Sequence, residues 1–294
     1  MKIKFLSIMK SILILIICYQ IALVLNAQVI KKIDVGGHKI DVRIKSAGPV
    51  PVVFEAGLTK DLTTWESVFN VVGTFSTAVA YSRAGYGDSE EGPLPRTPNN
   101  IFKDFNALID SLNLNNPIIL VGHSLGGFLV RYYTKQIPER IGGLVLVDAM
   151  HEARVQKLLE LDSLKWGKVF GEDYDKFKDS LKIAKAYSES VFSEWDVTDN
   201  IRGVERGMGG ADFKSLPLPD IPIVVLTAIG GPYYSLGEKN ALRELHAEWI
   251  KNSSNVMWII TDRSGHEIQA DQPDLVINAV EFINNILLAD KKAE

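Results

Sequence analysis

Short apolar runs alternate with amphipathic helical segments along most of this chain of 294 residues. The runs that predict buried strands are 52–54, 77–81, 118–121, 144–147, 221–227 and 256–260. The segments with helical spacing are 63–72, 99–112, 125–136, 238–251 and 273–288. Strands and helices that alternate in this way form a mostly parallel sheet with helices on both faces. The sequence therefore predicts an α/β fold.

Two departures from this alternation complete the predicted architecture. Residues 29–35 and 39–45 alternate apolar and polar side chains on either side of two glycines, which predicts an antiparallel N-terminal hairpin. Between 149 and 216 helical, charged and aromatic segments replace the strand patterns. We expect 149–216 to form a helical cap over the carboxyl ends of the strands, where α/β enzymes bind their ligands. The α/β core would then consist of 28–148 and 217–294.

The first 27 residues have the composition of a secretory signal peptide. Three lysines give a basic start without acids, residues 11–25 are almost entirely apolar, and Ala27 offers a small residue for cleavage. We therefore expect residues 1–27 to be removed and the protein to be secreted or periplasmic. The alternative is an uncleaved segment that anchors the protein in the membrane, although the apolar run is short for a span.

Charge and cysteine content narrow the expected partners. The formal net charge is −4, and loss of the three N-terminal lysines would make it −7, which argues against binding to nucleic acid or to an anionic membrane surface. The single cysteine, Cys18, lies in the apolar N-terminal run, so the processed protein would form no disulfide.

The motif Gly122-His123-Ser124-Leu125-Gly126 joins a predicted buried strand to a predicted helix. A strand, a Gly-x-Ser-x-Gly turn and a helix in this order are typical of a nucleophile elbow, in which a tight turn exposes the serine hydroxyl. Side chains at 122 and 126 would clash with the neighbouring backbone in such a turn. Ser124 is therefore the candidate nucleophile, and the alternative is a glycine-rich connection without chemistry.

A serine nucleophile needs a base. The five histidines are His38, His123, His151, His246 and His266. His266 is favoured because it lies in the loop after the last predicted strand, in the chain order that this type of site requires. We expect His123 to point away from the serine and His246 to lie on the surface of a helix. His151, at the start of the cap, is expected to line the substrate pocket.

An acid must orient the histidine and stabilise its positive charge. Asp148 is the candidate because it ends a buried run one strand after the elbow, although it could instead cap the first cap helix. The more usual location is the loop after strand 221–227, but residues 228–234 contain no acid. Glu238 is the second choice and Asp262 the third.

Two backbone N–H groups are expected to stabilise an oxyanion. Leu125 directly follows the nucleophile and supplies the first. Leu58 supplies the second, from the loop after strand 52–54, where Gly57 allows the chain to turn.

Together these motifs resemble the α/β-hydrolase family over nearly all of 29–290. The segments that carry the resemblance are FEAGL (54–58), YSRAGYGDS (81–89), VGHSLGG (121–127), LVLVDA (144–149) and SGHEIQADQP (264–273). Glu55 departs from the family pattern, because it lies in a loop where many members carry His-Gly. Arg83 is expected to be structural and to connect loops through carboxylates.

The position of Asp148 resembles the branch of the family in which the acid follows the sixth strand, as in haloalkane dehalogenases. Those enzymes use an aspartate nucleophile, as epoxide hydrolases do. Since this chain has Ser124 in that place, the resemblance implies neither dehalogenation nor epoxide opening.

The resemblance implies a serine hydrolase that cleaves a carboxylic ester through an acyl-enzyme on Ser124, in the manner of a carboxylesterase. No metal or organic cofactor is expected, and the substrate would be a small acyl compound in contact with His151 and Tyr233. The same triad on the same fold also cleaves amides, thioesters, lactones and carbon–carbon bonds. The alternative from another class is a non-catalytic protein that binds a small molecule.

Overall fold

The computed structural model describes residues 28–93, 96, 98–114, 117–162, 216–232, 234–251 and 253–293. The predicted signal peptide, 1–27, lies outside the described residues, as does Tyr233. Of the predicted cap, only 149–162 and Leu216 are described.

Eight strands in the described part of the chain form one sheet in the order β1-β2-β4-β3-β5-β6-β7-β8. The strands are β1 (Val29–Asp34), β2 (Lys39–Ser46), β3 (Pro51–Glu55), β4 (Thr77–Tyr81), β5 (Ile118–His123), β6 (Ile141–Val147), β7 (Ile223–Ala228) and β8 (Val256–Thr261). β1 pairs with β2, and β2 with β4, in antiparallel fashion; all other pairs are parallel. The predicted α/β fold, with its mostly parallel sheet and antiparallel N-terminal hairpin, is confirmed.

Helices connect the strands and cover both faces of the sheet. They are α1 (Glu66–Val72), α2 (Pro98–Ser111), α3 (Leu125–Gln136), α4 (Arg154–Leu161), α5 (Leu236–Ile250), α6 (Ile268–Asp271) and α7 (Pro273–Ala293). Within the ranges given above, none of them combines the length and the apolar composition that a membrane span requires.

The central strands β3, β5 and β6 are buried at every residue, as expected for a parallel sheet with both faces covered. One apolar cluster joins one face of the sheet to α1 and α7, and a second joins the other face to α2 and α3. Every strand of the parallel part ends at the same edge, so the loops that follow β3, β5, β6 and β8 are brought together there.

The third residue of β6 is Gly143, and α7 packs directly on it. A Cβ on Gly143 would overlap the Cγ2 atom of Ile283, which is attached to a stiff β-branched side chain. Helix α7 can therefore approach the sheet closely only where β6 has no side chain.

We expect Gly143→Ala to lower the free energy of unfolding by about 1–3 kcal/mol, because the added methyl group must displace α7. Gly237→Ala is the matched control: the new Cβ meets no atom within 4 Å in α5, so it should raise that free energy by about 0.5–1 kcal/mol. Chemical denaturation of the two variants measures both values, and equal stabilities would contradict the packing argument.

Candidate active site

Ser124 lies in a strained turn between β5 and α3. Its φ of 52° and ψ of −119° are rarely adopted by a residue with a side chain, and such strain costs about 1–3 kcal/mol. The surrounding backbone holds the turn in place. The Ser124 N–H donates to the carbonyl oxygen of Val147 (3.1 Å), and the Ser124 carbonyl accepts from the N–H groups of Gly127 (2.9 Å) and Met150 (2.8 Å).

The glycines of the motif permit backbone contacts that no other residue would allow. A Cβ on Gly122 would lie 2.5 Å from the carbonyl oxygen of Gly126, and one on Gly126 would overlap the carbonyl oxygen of Glu55. The turn is therefore pressed against the end of β3. This is the strand–turn–helix geometry of a nucleophile elbow.

His266 and Asp148 are brought together although 118 residues separate them. The distance between His266 Nδ1 and Asp148 Oδ2 is 2.6 Å, and the histidine side chain is 29% exposed while the aspartate side chain is only 5% exposed. Since a carboxylate can only accept, Nδ1 carries the proton of the neutral ring. The other ring nitrogen, Nε2, is then left with a lone pair that can take a proton.

Asp148 itself is fixed by the ends of two strands. Its φ is 39°, its N–H donates to the Leu226 carbonyl (2.8 Å), and its Oδ1 accepts from the N–H of Ala228 (3.0 Å). Burial alone would raise the pKa of Asp148, but the hydrogen bond and charge of His266, with the charge of Arg154, hold it well below its usual range. The carboxylate is therefore ionised at neutral pH.

His123 supports the loop that carries His266. Its Nε2 lies 2.9 Å from the His266 carbonyl oxygen, and the two ring centroids are 4.7 Å apart. Burial, and next the charge of His266, lower the pKa of His123 to about 4, so the ring is neutral and donates from Nε2. The sequence predicted only that His123 points away from Ser124, and the structure adds this contact with the loop that carries His266.

The two expected oxyanion donors belong to the two segments that meet at Ser124. Leu125 is the first residue of α3, and Leu58 is half-buried in the loop after β3. Gly57 brings that loop against the elbow: a Cβ on Gly57 would lie 3.3 Å from the Cβ of Ser124 and 2.9 Å from Nδ1 of His123.

The remaining acids named from the sequence lie elsewhere or have other partners. Glu238 belongs to the capping box of α5: its carboxylate accepts from the Ser235 N–H (2.6 Å), and its N–H donates to the Ser235 hydroxyl (3.3 Å). Asp262 is exposed. Glu55 is buried and accepts from the guanidinium of Arg83.

The expectation that His246 lies on the surface is wrong. His246 is 3% exposed; its Nδ1 accepts from the Thr227 hydroxyl (2.7 Å) and its Nε2 donates to the Ala149 carbonyl (2.8 Å). The indole N–H of Trp258 donates to the same hydroxyl (2.8 Å), which leaves the hydroxyl proton for the histidine. The ring is thus part of the support beneath residues 148–149.

His151 is buried against the aromatic ring of Trp249, with centroids 5.0 Å apart and planes inclined by 21°. Its Nδ1 accepts from the Ala153 N–H (3.1 Å). The residue also lines a cavity of about 510 Å³ together with Glu152 and Leu216. Of the two substrate contacts named from the sequence, His151 therefore lies beside a cavity, and Tyr233 is outside the described residues.

Comparison of the sequence with models of known protein families identifies the family of this chain. Residues 53–279 match the model of the Alpha/beta hydrolase family. The chain belongs to that family. Ser124, Asp148 and His266 all lie within the matched residues, so the family match and the candidate site concern the same part of the chain.

Individual relatives span most of the chain. It is 21% identical over 250 residues to the uncharacterized protein YqjL of Bacillus subtilis, a match that covers 80% of this chain and 84% of that protein. It is 27% identical over 215 residues to a Mycoplasma genitalium protein named "Putative esterase/lipase 2", covering 69% and 76%. The structure of epoxide hydrolase VrEH1 from Vigna radiata has a TM-score of 0.62 at 21% identity, covering 89% and 99%.

Buried neutral histidines should make the protein sensitive to acid. Burial lowers the pKa of His246 to about 4, from an ordinary value of 6.5. Between these two values the unfolded chain holds a proton that the folded protein does not, so the free energy of unfolding falls as the pH falls, by about 1.4 kcal/mol per pH unit for each such group.

We therefore expect His246→Gln to be less stable than the wild type at pH 8 but to lose part of this deficit on acidification. The deficit should shrink by up to about 3 kcal/mol between pH 7 and 4, since only the wild type has this proton to take up on unfolding. Urea denaturation across this range measures the difference, and the value at pH 8 serves as the control for lost packing. A deficit that does not change with pH would contradict the prediction.

Proposed function

We propose that the protein is a serine hydrolase that cleaves carboxylic esters through an acyl-enzyme on Ser124. The observation that carries the proposal is the 2.6 Å hydrogen bond between His266 Nδ1 and the buried carboxylate of Asp148, in a loop that His123 fastens to the elbow. This bond supplies what a serine hydroxyl lacks, a neutral base with a fixed ring.

In the proposed reaction the Ser124 hydroxyl attacks the carbonyl carbon of the ester while Nε2 of His266 takes its proton. The negative charge that develops on the carbonyl oxygen is stabilised by the N–H groups of Leu58 and Leu125. The imidazolium, stabilised by Asp148, then gives its proton to the leaving alkoxide as the C–O bond breaks. Water, deprotonated by the same histidine, attacks the acyl-enzyme and releases the carboxylic acid and the free serine.

The preference for esters is supported by the nucleophile and by a relative. Epoxide hydrolases and haloalkane dehalogenases share this fold but use an aspartate nucleophile, whereas the elbow here carries Ser124. The Mycoplasma genitalium relative is named as an esterase/lipase, and its match covers 69% of this chain. A small acyl compound is the proposed substrate, and the proposed reaction uses only protein groups and water.

An activated serine should react with a fluorophosphonate whatever the natural substrate is. We expect intact mass spectrometry to show one phosphonyl adduct on the wild type, and no adduct on Ser124→Ala or His266→Ala. The alanine variants must fold, which circular dichroism and thermal unfolding check. A folded wild type without an adduct would refute the proposal and favour a protein that only binds its ligand.

The identity of the acid can be tested by a matched pair of amide variants. Asp148→Asn should lower kcat for p-nitrophenyl butyrate about 10⁴-fold, because the amide no longer stabilises the imidazolium or the required tautomer. Glu238→Gln keeps the capping-box geometry of α5 and should leave kcat within about threefold of the wild type. The reverse order of the two effects would assign the acid to Glu238.

A further inference from the structure

Glu55 and Arg83 form a buried ion pair beside the loop after β3, and this pair has no part in the proton transfers described above. The side chains of Glu55 and Arg83 are each 2% exposed, and Nη1 of Arg83 donates to Oε1 of Glu55. The other carboxylate oxygen accepts from the hydroxyl of Tyr133 at 2.9 Å and from that of Tyr81. Burying two charges is costly unless their hydrogen bonds are satisfied, and here four side chains satisfy one another.

The guanidinium also holds the backbone of the loop after β3. Arg83 Nη1 donates to the carbonyl oxygen of Ala56, and Nη2 donates to that of Gly57, both at 2.6 Å. The plane of Arg83 lies over the ring of Tyr86, with Cζ 5.0 Å from the ring centroid. The hydroxyl of Tyr86 accepts from the N–H of Thr59 at 3.2 Å, so the loop is held on both sides of Leu58.

The contact with Gly57 fixes the orientation of the Leu58 N–H. In a trans peptide the C=O of one residue and the N–H of the next point in opposite directions from the same rigid plane. Once Arg83 holds the Gly57 carbonyl, rotation of that plane would break a charge-assisted hydrogen bond inside the protein. The Leu58 N–H therefore points away from Arg83 in a single orientation.

We propose that Arg83 is the positioning residue of the oxyanion hole and that Glu55 holds Arg83 in place. The inference rests on the proposed function, since it concerns the Leu58 donor of that reaction. Hydrogen-bond donors accelerate such reactions because they are already oriented when charge develops on the substrate oxygen. The buried pair therefore holds the loop after β3, and with it the Leu58 N–H, in one conformation.

The test is Arg83→Lys, which keeps the charge but not the planar fork that reaches two carbonyl oxygens at once. With p-nitrophenyl butyrate we expect kcat to fall by up to about 100- to 1000-fold, the range for a lost oxyanion donor, while KM stays within about threefold. Affinity for trifluoroacetophenone, whose serine adduct carries the oxyanion, should fall by the same factor as kcat/KM.

Arg131→Lys is the matched control. Arg131 is also a buried arginine, paired with Glu152 at 2.8 Å and stacked on Trp249, and its loss should cost similar stability. It should not produce the parallel loss of kcat and of ketone affinity. Glu55→Gln tests the same support from the side of Glu55. The amide oxygen still accepts from Arg83 but carries no charge, so we expect a smaller fall in kcat with unchanged KM.

The outcomes separate the two proposals. An active wild type whose folded Arg83→Lys and Glu55→Gln variants keep kcat, or lose activity only through KM, overturns the positioning role and leaves the proposed function standing. If Arg83→Lys fails to fold, the Glu55→Gln result decides by the same criterion. A folded wild type that neither forms a fluorophosphonate adduct nor hydrolyses the ester refutes both.

Discussion

The close approach of the elbow to the end of β3 is the constraint on which the site depends. It exists because position 126 has no side chain: a Cβ there would overlap the carbonyl oxygen of Glu55. The approach places the loop after β3 against Ser124, and it leaves room for His123 between that loop and the histidine loop. The parallel strands end at one edge of the sheet, which brings these loops together. Gly126 then lets the turn pack closely enough to hold Ser124 at a positive φ.

Two buried carboxylates flank the serine turn, and each is paired with a different kind of cation. Glu55 is paired with Arg83, whose guanidinium is not deprotonated in proteins, so this pair takes no part in the proposed proton transfers. Asp148 is paired with His266, whose other ring nitrogen, Nε2, takes and returns the proton in the proposed reaction. A guanidinium can only donate, whereas an imidazole has one nitrogen that can accept a proton, so the first pair suits a fixed support and the second suits the proposed proton transfer.

Most of the fold could be predicted because its pattern is local. The helix predicted at 125–136 is observed as Leu125–Gln136, and the hairpin and the mostly parallel sheet were predicted from the alternation of side chains and of elements. His246 was predicted wrongly because its neighbours in the chain are polar. Helical spacing from Leu242 through Leu245 to Trp249 would have placed it on the buried face of α5. The pairing of Glu55 with Arg83 depends on the adjacency of β3 and β4, which no local pattern contains, although a structural role for Arg83 was foreseen.

The carboxylate that contacts His266 comes from the end of β6, and the loop after β7 supports His266 in another way. Gly230 donates its N–H to the carbonyl oxygen of Ser264 at 3.0 Å, and a Cβ at 230 would overlap the carbonyl oxygen of Asp262. The loop after β7 is therefore used, through its backbone, to hold the loop that carries His266. A side chain at 230 would separate the two loops, so this position cannot supply a carboxylate. The N–H of Ala228, the last residue of β7, donates to the Asp148 carboxylate, so the end of β7 orients the carboxylate that His266 contacts.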